Sequence, residues 1–497
     1  MNYVIGIDLG TSAVKALLVD QNGHVVVEAS EDIPLYHDRP GYSEQDPDDW
    51  VRQTKKAIQS LVRQSKVVPK AIKGLSFSGQ MHGLVLLDKD MKPLRRAILW
   101  NDTRTTQECQ DIEAQIGLET LLKITKNRAL EGFTLPKLLW VKKHEPEKFQ
   151  HASTFLLPKD YVRYQLTGQI GMDVSDAAGT LLLDVSNRQW SANMIEKLGI
   201  DQVICPPIIE AGACVGHLTQ TAVNETGLTE DTLIFAGGAD NACGAIGSGV
   251  LTEGKTMCSI GTSGVVLSYE PSGDQDFLGK VHYFNHAKKG SFYTMGVTLA
   301  AGYSLDWFKK TFVKESFEEL FRHIKEVPVG SKGLLFTPYI IGERTPHVDS
   351  NIRGSFIGVD AVHTKWDFAR AVVEGITFSL NESIHILRES GKTVDSVTAI
   401  GGGAKSEEWL QIQADVFGAS IIKLKNEQGP GIGAAMLAAV GCGMYASLEA
   451  CSEAFVEVER QISPIPENVQ AYQELFKTYQ MVYGQTKELS ERLQIVK

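Results

Sequence analysis

A Gly-Thr-Ser turn between two apolar runs occurs twice in this chain. The first copy follows Ile7-Asp8-Leu9 and turns at Gly10, and the second follows Ser259-Ile260 and turns at Gly261, half a chain later. Each copy has the pattern of a β-hairpin, and its turn offers backbone N–H groups and hydroxyls that can bind a phosphate. Two copies predict a duplicated fold that holds a polyphosphate from both sides. Only the first copy carries an acid, Asp8, at its strand end, so the halves are not equivalent.

Strand patterns alternate with helical patterns along the chain, which predicts an α/β fold. A boundary near residue 250, just before the second hairpin, divides the chain into two predicted lobes, 1–250 and 251–497. The α/β prediction rests on strand-like runs at 4–7, 15–20, 24–28 and 74–77 and on helical patterns at 47–65 and 105–117. In the second half it rests on a hairpin at 255–269, helices at 304–312 and 369–389 and a strand at 394–400.

The composition excludes several function classes. The net charge of −11 disfavours a nucleic-acid partner, because a surface that binds nucleic acid is basic. Seven cysteines without a Cys-x-x-Cys pair disfavour a disulfide framework or a zinc site and favour a cytoplasmic location. No apolar run is long enough to span a bilayer, and Asp8 interrupts the N-terminal run, so neither a membrane segment nor a signal peptide is expected. Whether the chain forms a homodimer stays open.

Two glycine-rich segments look like nucleotide-binding motifs and are rejected. Residues 249–256 match the Walker A pattern letter for letter, but that pattern works only between a strand and a helix whose N-terminus faces the phosphates. Here the segment leads into the second hairpin, so we interpret it as a connection between the lobes. Residues 429–433 fail the dinucleotide fingerprint, because the spacing is wrong and Pro430 intrudes.

Four segments that follow predicted strands have a functional and a structural interpretation each. Asp240, behind two glycines, is either a base for a substrate hydroxyl or a helix cap. Met81 and His82 either bind a polar ligand or have a structural role. Trp100 either forms the floor of a sugar pocket or fills the core. The glycines at 401–403 leave flat backbone on which an adenine ring could stack, or they form a tight turn.

Together these segments resemble the FGGY family of sugar kinases, which share the two-lobed actin/hexokinase/Hsp70-like ATPase fold with ribonuclease H-like duplicated lobes. The two Gly-Thr-Ser hairpins are similar to the phosphate loops of that superfamily, and residues 400–406 are similar to its adenosine motif. Family signatures occur at 132–140 and 354–374, and the resemblance covers essentially the whole chain. It implies an α/β fold with a cleft between the lobes, and ATP and Mg²⁺ as cofactors.

The resemblance also implies an acceptor, D-xylulose, phosphorylated at O5. Glycerol kinases carry an Arg-Glu pair where this chain has Met81-His82. Another kinase of the family, acting on ribulose, gluconate, a deoxy-sugar or a polyol, stays open, as does a non-catalytic nucleotide-binding regulator or an Hsp70-like ATPase. The sequence motifs that favour D-xylulose lie at 79–83, 98–102, 157–161, 175–180 and 342–347.

The resemblance further implies a role for each candidate site residue. Asp240 is the expected general base on the sugar hydroxyl, and Asp8 is the expected Mg²⁺ residue. Lys15 stands where relatives place a basic group that reaches a phosphate. The other residues are Met81, His82, Asn241 and Trp100 for the sugar, Thr11, Ser12, Thr262 and Ser263 for the phosphates, and Gly302, Gly402 and Gly403 for adenosine.

Overall fold

The structure is a computed structural model that describes residues 1–495. Two seven-stranded mixed β-sheets, one from each half of the chain, form its framework. The first sheet contains β1 (Tyr3–Leu9), β2 (Ala13–Asp20), β3 (Val25–Asp32), β4 (Ile72–Gly79), β5 (Cys214–His217), β6 (Leu233–Phe235) and β7 (Gly238–Ala239). The second contains β8 (Lys255–Ile260), β9 (Gly264–Glu270), β10 (His282–Asn285), β11 (Phe292–Thr298), β12 (Ser396–Gly401), β13 (Ser420–Leu424) and β14 (Val458–Ile462).

The two sheets have the same topology. The order in the first is β3-β2-β1-β4-β6-β5, with β7 also paired to β4, and the second repeats it as β11-β9-β8-β12-β13-β14, with β10 added beside β11. In each sheet the first three strands are antiparallel, the next pairings are parallel, and the last strand is antiparallel again. This repetition confirms the duplicated α/β fold that the doubled hairpin predicts.

Helices pack on both sheets, and short strand pairs connect the periphery. No helix within residues 1–495 combines the length and apolar character that a bilayer crossing requires. The helices are α1 (Pro47–Ser65), α2 (Thr106–Ile116), α3 (Leu118–Thr125), α4 (Thr134–His144), α5 (Pro146–Gln150), α6 (Pro158–Thr167), α7 (Val174–Ala178), α8 (Ala192–Lys197), α9 (Gln220–Thr226), α10 (Asp240–Gly247), α11 (Gly302–Phe312), α12 (Phe317–Glu326), α13 (Lys365–Glu389), α14 (Glu407–Phe417), α15 (Pro430–Gly441), α16 (Leu448–Phe455) and α17 (Pro466–Gln494). The short pairs are Glu44–Gln45 with Ala97–Ile98, Val85–Leu87 with Thr154–Leu156, Met172–Asp173 with Ile208–Ile209, Leu183–Asp184 with Gln189–Trp190, and Leu335–Thr337 with Ser355–Ile357.

Helix α1 shows how local sequence sets an element. The side chain of Asp46 accepts from the backbone N–H of Asp48, and Pro47 occupies the first turn, where its missing N–H leaves no hydrogen bond unmade. Trp50 and Leu61 lie on the buried face, which packs on β2 and β3. The helix predicted at 47–65 is therefore confirmed with its bounds.

Helix α15 crosses from the second half of the chain to the first sheet. It contacts β1, β4 and α10, and residues 431–439 are all buried. Gly433 permits this approach, because a Cβ there would overlap with the carbonyl group of Cys243. The lobe boundary near residue 250 stays a prediction, and α15 completes the packing of the first sheet from beyond it.

The Walker-like segment at 249–256 lies between a helix and a strand. Helix α10 ends at Gly247, and β8 begins at Lys255 and enters the second hairpin. This order is the reverse of the strand-to-helix order that a phosphate-binding P-loop requires. The structure thus supports the interpretation of the segment as a connection.

Candidate active site

Side chains from three other segments hold the turn between β1 and β2. The Gly10 N–H closes the turn by donating to the carbonyl group three residues later at 3.0 Å. The Thr11 hydroxyl donates to Gln80 Oε1 at 3.2 Å and accepts from Trp100 Nε1 at 2.9 Å, and Gln45 Nε2 donates to Thr11 O at 2.7 Å. Trp100 is 48% exposed, so it covers this turn at the surface and does not fill the core.

Ser12 and Lys15, at or near this turn, are at least partly exposed. The Lys15 ammonium lies 3.1 Å from the Glu28 carboxylate and donates to Gln428 Oε1 at 3.4 Å. Ser12 is exposed at the tip of the turn. Lys15 therefore bridges the first sheet and the segment that leads into α15, and the contact of Lys15 and Ser12 with phosphates stays a prediction.

The second turn, between β8 and β9, rests on the start of α11. Gly302 N donates to Gly261 O at 2.9 Å, and Tyr303 N donates to Thr262 O at 3.0 Å. A Cβ at Gly302 would overlap with the Gly261 carbonyl, so this close approach requires glycine. Thr262 and Ser263 are exposed, with their hydroxyls at the surface of the turn.

A cavity of about 770 Å³ opens beside the second turn. It is lined by Gly261 together with Gly302, Gly402 and Gly403, so the structure brings the three predicted adenosine residues together. Apolar side chains at the cavity suit a planar base, since most small-molecule pockets combine apolar walls with a few polar groups. These apolar lining residues are Leu305, Phe317, Phe321 and Trp409.

A smaller cavity, of about 320 Å³, lies between the two halves of the chain. Asp240 and Asn241 at the start of α10 line it from the first half, and Ser259 of β8 lines it from the second. The segment 426–430 completes the wall. The predicted base thus faces a space that elements of both lobes enclose.

Two half-buried carboxyl groups, Asp8 and Asp240, interact near this cavity. Burial raises the pKa of Asp8 to about 6, although the Ser78 hydroxyl and Lys15 oppose the shift. Burial and the negative charge of Asp8 raise the pKa of Asp240 to about 7, and hydrogen bonds from Asn241 oppose that shift. A carboxylate with a pKa near neutrality is a competent proton acceptor for a hydroxyl.

Asp240 is not the helix cap that the sequence left as an alternative. Helix α10 begins at Asp240, and Ala239 is its N-cap, without a side-chain cap hydrogen bond. The carboxylate oxygen Oδ1 instead accepts from Asn241 N at 2.6 Å and from Asn241 Nδ2 at 3.0 Å. The other oxygen is therefore left for contacts from the cavity.

Met81 and Asn241 meet beside this carboxylate. Met81 is buried, and its Sδ lies 3.6 Å from Asn241 Nδ2 and 3.9 Å from the hydroxyl of Tyr293. Tyr293 belongs to β11, so a strand of the second sheet reaches the predicted sugar residues of the first half. The sequence predicts Met81 and Asn241 at the site but not Tyr293.

His82 is held in one tautomer. Its Nδ1 lies 2.6 Å from the carbonyl oxygen of Gly179, which can only accept, so Nδ1 carries the proton and Nε2 is an acceptor. Burial, assisted by the positive charge of Lys137, lowers the pKa of His82 to about 3, so the ring is neutral. The ring also packs edge-on against Phe133 at 4.9 Å. A neutral imidazole with a free Nε2 can accept a hydrogen bond from a sugar hydroxyl.

Three parts of the site were not assigned a role from the sequence. Helix α12 lines the larger cavity. Its amphipathic sequence pattern does not indicate which cavity the helix borders. The segment 429–433, rejected as a dinucleotide fingerprint, lines the cleft at Gly429 and Pro430, and a Cβ added at Gly431 would lie 3.6 Å from the Asp8 Cβ. Lys137 donates to Phe133 O at 3.0 Å and to His82 O at 3.4 Å. In the sequence, only its position in the family signature at 132–140 points to a role at the site.

Comparisons with known proteins match both halves of the chain to one family. Residues 3–247 match the model of the FGGY family of carbohydrate kinases, N-terminal domain, and residues 256–442 match the model of its C-terminal domain. The chain is 59% identical over 494 residues to xylulose kinase from Bacillus subtilis, with 99% of each chain covered.

Solved structures show the same fold. A ligand-bound xylulose kinase from Lactobacillus acidophilus superposes with a TM-score of 0.94 at 28% identity, covering 98% of this chain and 99% of that one. A gluconate kinase from the same organism superposes with a TM-score of 0.93 at 28% identity, covering 98% of each chain. The fold by itself therefore does not distinguish these two acceptors.

Proposed function

This chain belongs to the FGGY family of carbohydrate kinases, and we propose that it transfers the γ-phosphoryl group of ATP to O5 of D-xylulose, giving D-xylulose 5-phosphate and ADP. The observation that carries the proposal is the carboxylate of Asp240, raised in pKa to about 7 at a cavity that both halves of the chain enclose. The full-length relationship to xylulose kinase supports the choice of acceptor.

The residues around Asp240 are suited to hold a ketose. Asp240 accepts the proton of the attacking hydroxyl, and Asn241 orients the carboxylate through its two hydrogen bonds. His82 accepts from a sugar hydroxyl through Nε2, and Met81 supplies an apolar contact. Trp100, beside the first turn, walls the outer part of the pocket.

The two turns are placed to hold the nucleotide. Phosphoryl transfer depends mainly on the positioning and charge neutralisation of the phosphates. Thr11, Ser12 and Lys15 supply donors from the first half, and Thr262 and Ser263 supply donors from the second. Adenosine occupies the larger cavity, against the glycine backbone at Gly302, Gly402 and Gly403.

The acidic pair fits a divalent cation. Asp8 and Asp240 are both half-buried and repel each other, and carboxylate oxygens are the ligands that Mg²⁺ prefers. Asp8 would hold the ion, which, when bound, supplies positive charge to the phosphates. Because Asp8 would hold the ion, Asp240 stays available to accept the proton of the sugar hydroxyl.

A panel of acceptors tests this proposal. With ATP and Mg²⁺, ADP release is measured for D-xylulose, D-ribulose, gluconate, a deoxy-sugar and glycerol, and we expect the highest kcat/KM for D-xylulose. The same assay with an Asp240→Ala variant controls for a contaminating kinase. A higher kcat/KM for another acceptor contradicts the assigned substrate. Sugar-independent ADP release, or none at all, would instead support an ATPase or a nucleotide-binding regulator.

Activity is expected to fall toward acidic pH. Because the pKa of Asp240 lies at about 7, protonation below that pH removes the free base, and kcat/KM for the sugar should drop about tenfold per pH unit. A cation beside Asp8 favours the charged form of Asp240, so saturating Mg²⁺ should move this limb to lower pH. Initial rates across about pH 5 to 8.5, at limiting and at saturating Mg²⁺, check both effects. A pH profile that is flat at either Mg²⁺ concentration would contradict them.

A further inference from the structure

The backbone that leads into Asp240 is anchored at both ends by buried side chains. At the near end, Ala239 N donates to the hydroxyl of Ser175 at 2.9 Å. At the far end, Arg163 Nη1 donates to Ala236 O at 3.1 Å. Two glycines lie between these points and contribute no side-chain packing of their own. The two anchors hold this turn together with the pairing of β7 with β4 and with two backbone hydrogen bonds, from Ala236 N to Ala213 O and from Gly237 N to Ala211 O.

The two anchors belong to one buried network. Ser175 Oγ donates to Asp173 Oδ2 at 2.5 Å, and the other oxygen of Asp173 lies 2.6 Å from the Lys159 ammonium. Lys159 lies 2.8 Å from Asp160, which in turn pairs with Arg163 at 2.7 Å. The four charged side chains are 0% exposed. The contacts thus form a path from one end of the turn to the other.

The network also sets the direction of the Ser175 hydroxyl. Because the Asp173 carboxylate can only accept, the Ser175 proton points toward it, and a lone pair of Ser175 faces the Ala239 N–H. A hydroxyl without such a partner could rotate and offer its proton instead. Asp173 is itself held on both oxygens, so little of this arrangement can relax.

We propose that Ser175 is a positioning residue for Asp240, which it fixes through the backbone of Ala239. The inference rests on the proposed function, since it takes Asp240 as the base. A general base must lie within hydrogen-bond reach of the proton that it removes, and a displacement of about 1 Å can lower the rate about 10²-fold. Ser175 is 0% exposed, and its hydroxyl is engaged by Asp173 and by the Ala239 N–H, so it acts only through Asp240.

A double-mutant cycle tests the proposal. We expect Ser175→Ala to lower kcat about tenfold or more with the KM for ATP unchanged. In an Asp240→Ala background the same substitution should lower kcat no further, because the residue through which Ser175 acts is gone. If Ser175→Ala does not yield folded protein, Ser175→Cys, which keeps the shape of the side chain but has only a weak acceptor, replaces it in the same cycle.

Thr226→Ala is the matched control. Thr226 is a buried residue of α9. Like the Ser175 hydroxyl, its hydroxyl accepts from one backbone N–H, that of Leu228, and donates to one acceptor, the carbonyl oxygen of Ala222. This variant should lose thermal stability with kcat unchanged. An equal fold-loss for Ser175→Ala in both backgrounds, or an unchanged kcat in the wild-type background, would overturn the positioning role. Full activity of Asp240→Ala alone would instead overturn the proposed function.

Discussion

Replacing Asp240 by alanine is expected to lower kcat by about 10²-fold or more, the effect of removing a general base. The affinity for ATP should stay close to that of the unchanged protein, because the predicted adenosine residues line a separate cavity. Asp240→Asn isolates the proton-accepting function, since an amide oxygen can still accept from Asn241 N at the position of Oδ1. Both variants should therefore lose turnover to a similar extent.

Turnover and nucleotide binding must be measured separately for this prediction. Initial rates with D-xylulose give kcat, and a titration with ATP gives the dissociation constant. Asp231→Asn is the control, because it makes the same chemical change at an exposed position and should leave kcat unchanged. Wild-type turnover in Asp240→Ala would show that another group accepts the proton.

Replacing Lys159 by methionine is expected to lower the free energy of unfolding by about 3–5 kcal/mol, as for other buried ion pairs that lose one partner. The Lys159 ammonium lies within 3.0 Å of Asp160, Asp173 and Asp176, and all four side chains are 0% exposed. Burial alone would lower the pKa of Lys159, but these three carboxyl groups outweigh it and raise the pKa. Without the ammonium, only Arg163 remains to balance them.

The charges of this cluster explain why a single substitution should be severe. Burial raises the pKa of Asp176 well above its usual range, although Lys159 opposes the shift. Two cations, Lys159 and Arg163, face the three carboxyl groups of the cluster. Loss of Lys159 leaves a net negative charge in a space that water does not reach, and methionine, which is similar in length, leaves only a small void.

Urea unfolding of Lys159→Met checks this expectation. Lys477→Met is the control, because Lys477 pairs with Glu474 on the surface, where both side chains are about 70% exposed. Such exposed pairs contribute about 0 to 1 kcal/mol. If the two variants lose a similar free energy of unfolding, the buried network does not stabilise the fold as described.

Elements whose signals are local could be predicted closely. The bounds of α1 follow from its cap at Asp46, Pro47 and an apolar face, all within one short segment. The two hairpins likewise follow from apolar runs around a glycine turn. Hydrogen bonds between near neighbours in the chain determine these elements, so a short window of sequence contains the information.

Parts of the site that depend on distant contacts could not be predicted. The segment at 429–433 has no recognisable motif, and its place beside Asp8 arises only because α15 packs on the first sheet. Tyr293 and α12 carry ordinary patterns of a strand and an amphipathic helix. Their importance comes from the cavity that they border, which requires the relative placement of both sheets.

The doubled hairpin, the alternation of strands and helices, the family and the residue types that could act on a phosphate and a hydroxyl can all be read from the sequence. These depend on local hydrogen bonding, on periodicity and on motifs. The fold was needed to show that the half-buried Asp8 and Asp240 lie close enough to interact and that the pKa of Asp240 lies at about 7. Desolvation and charge repulsion act through space, so neither can be read from two residues that lie in distant parts of the chain.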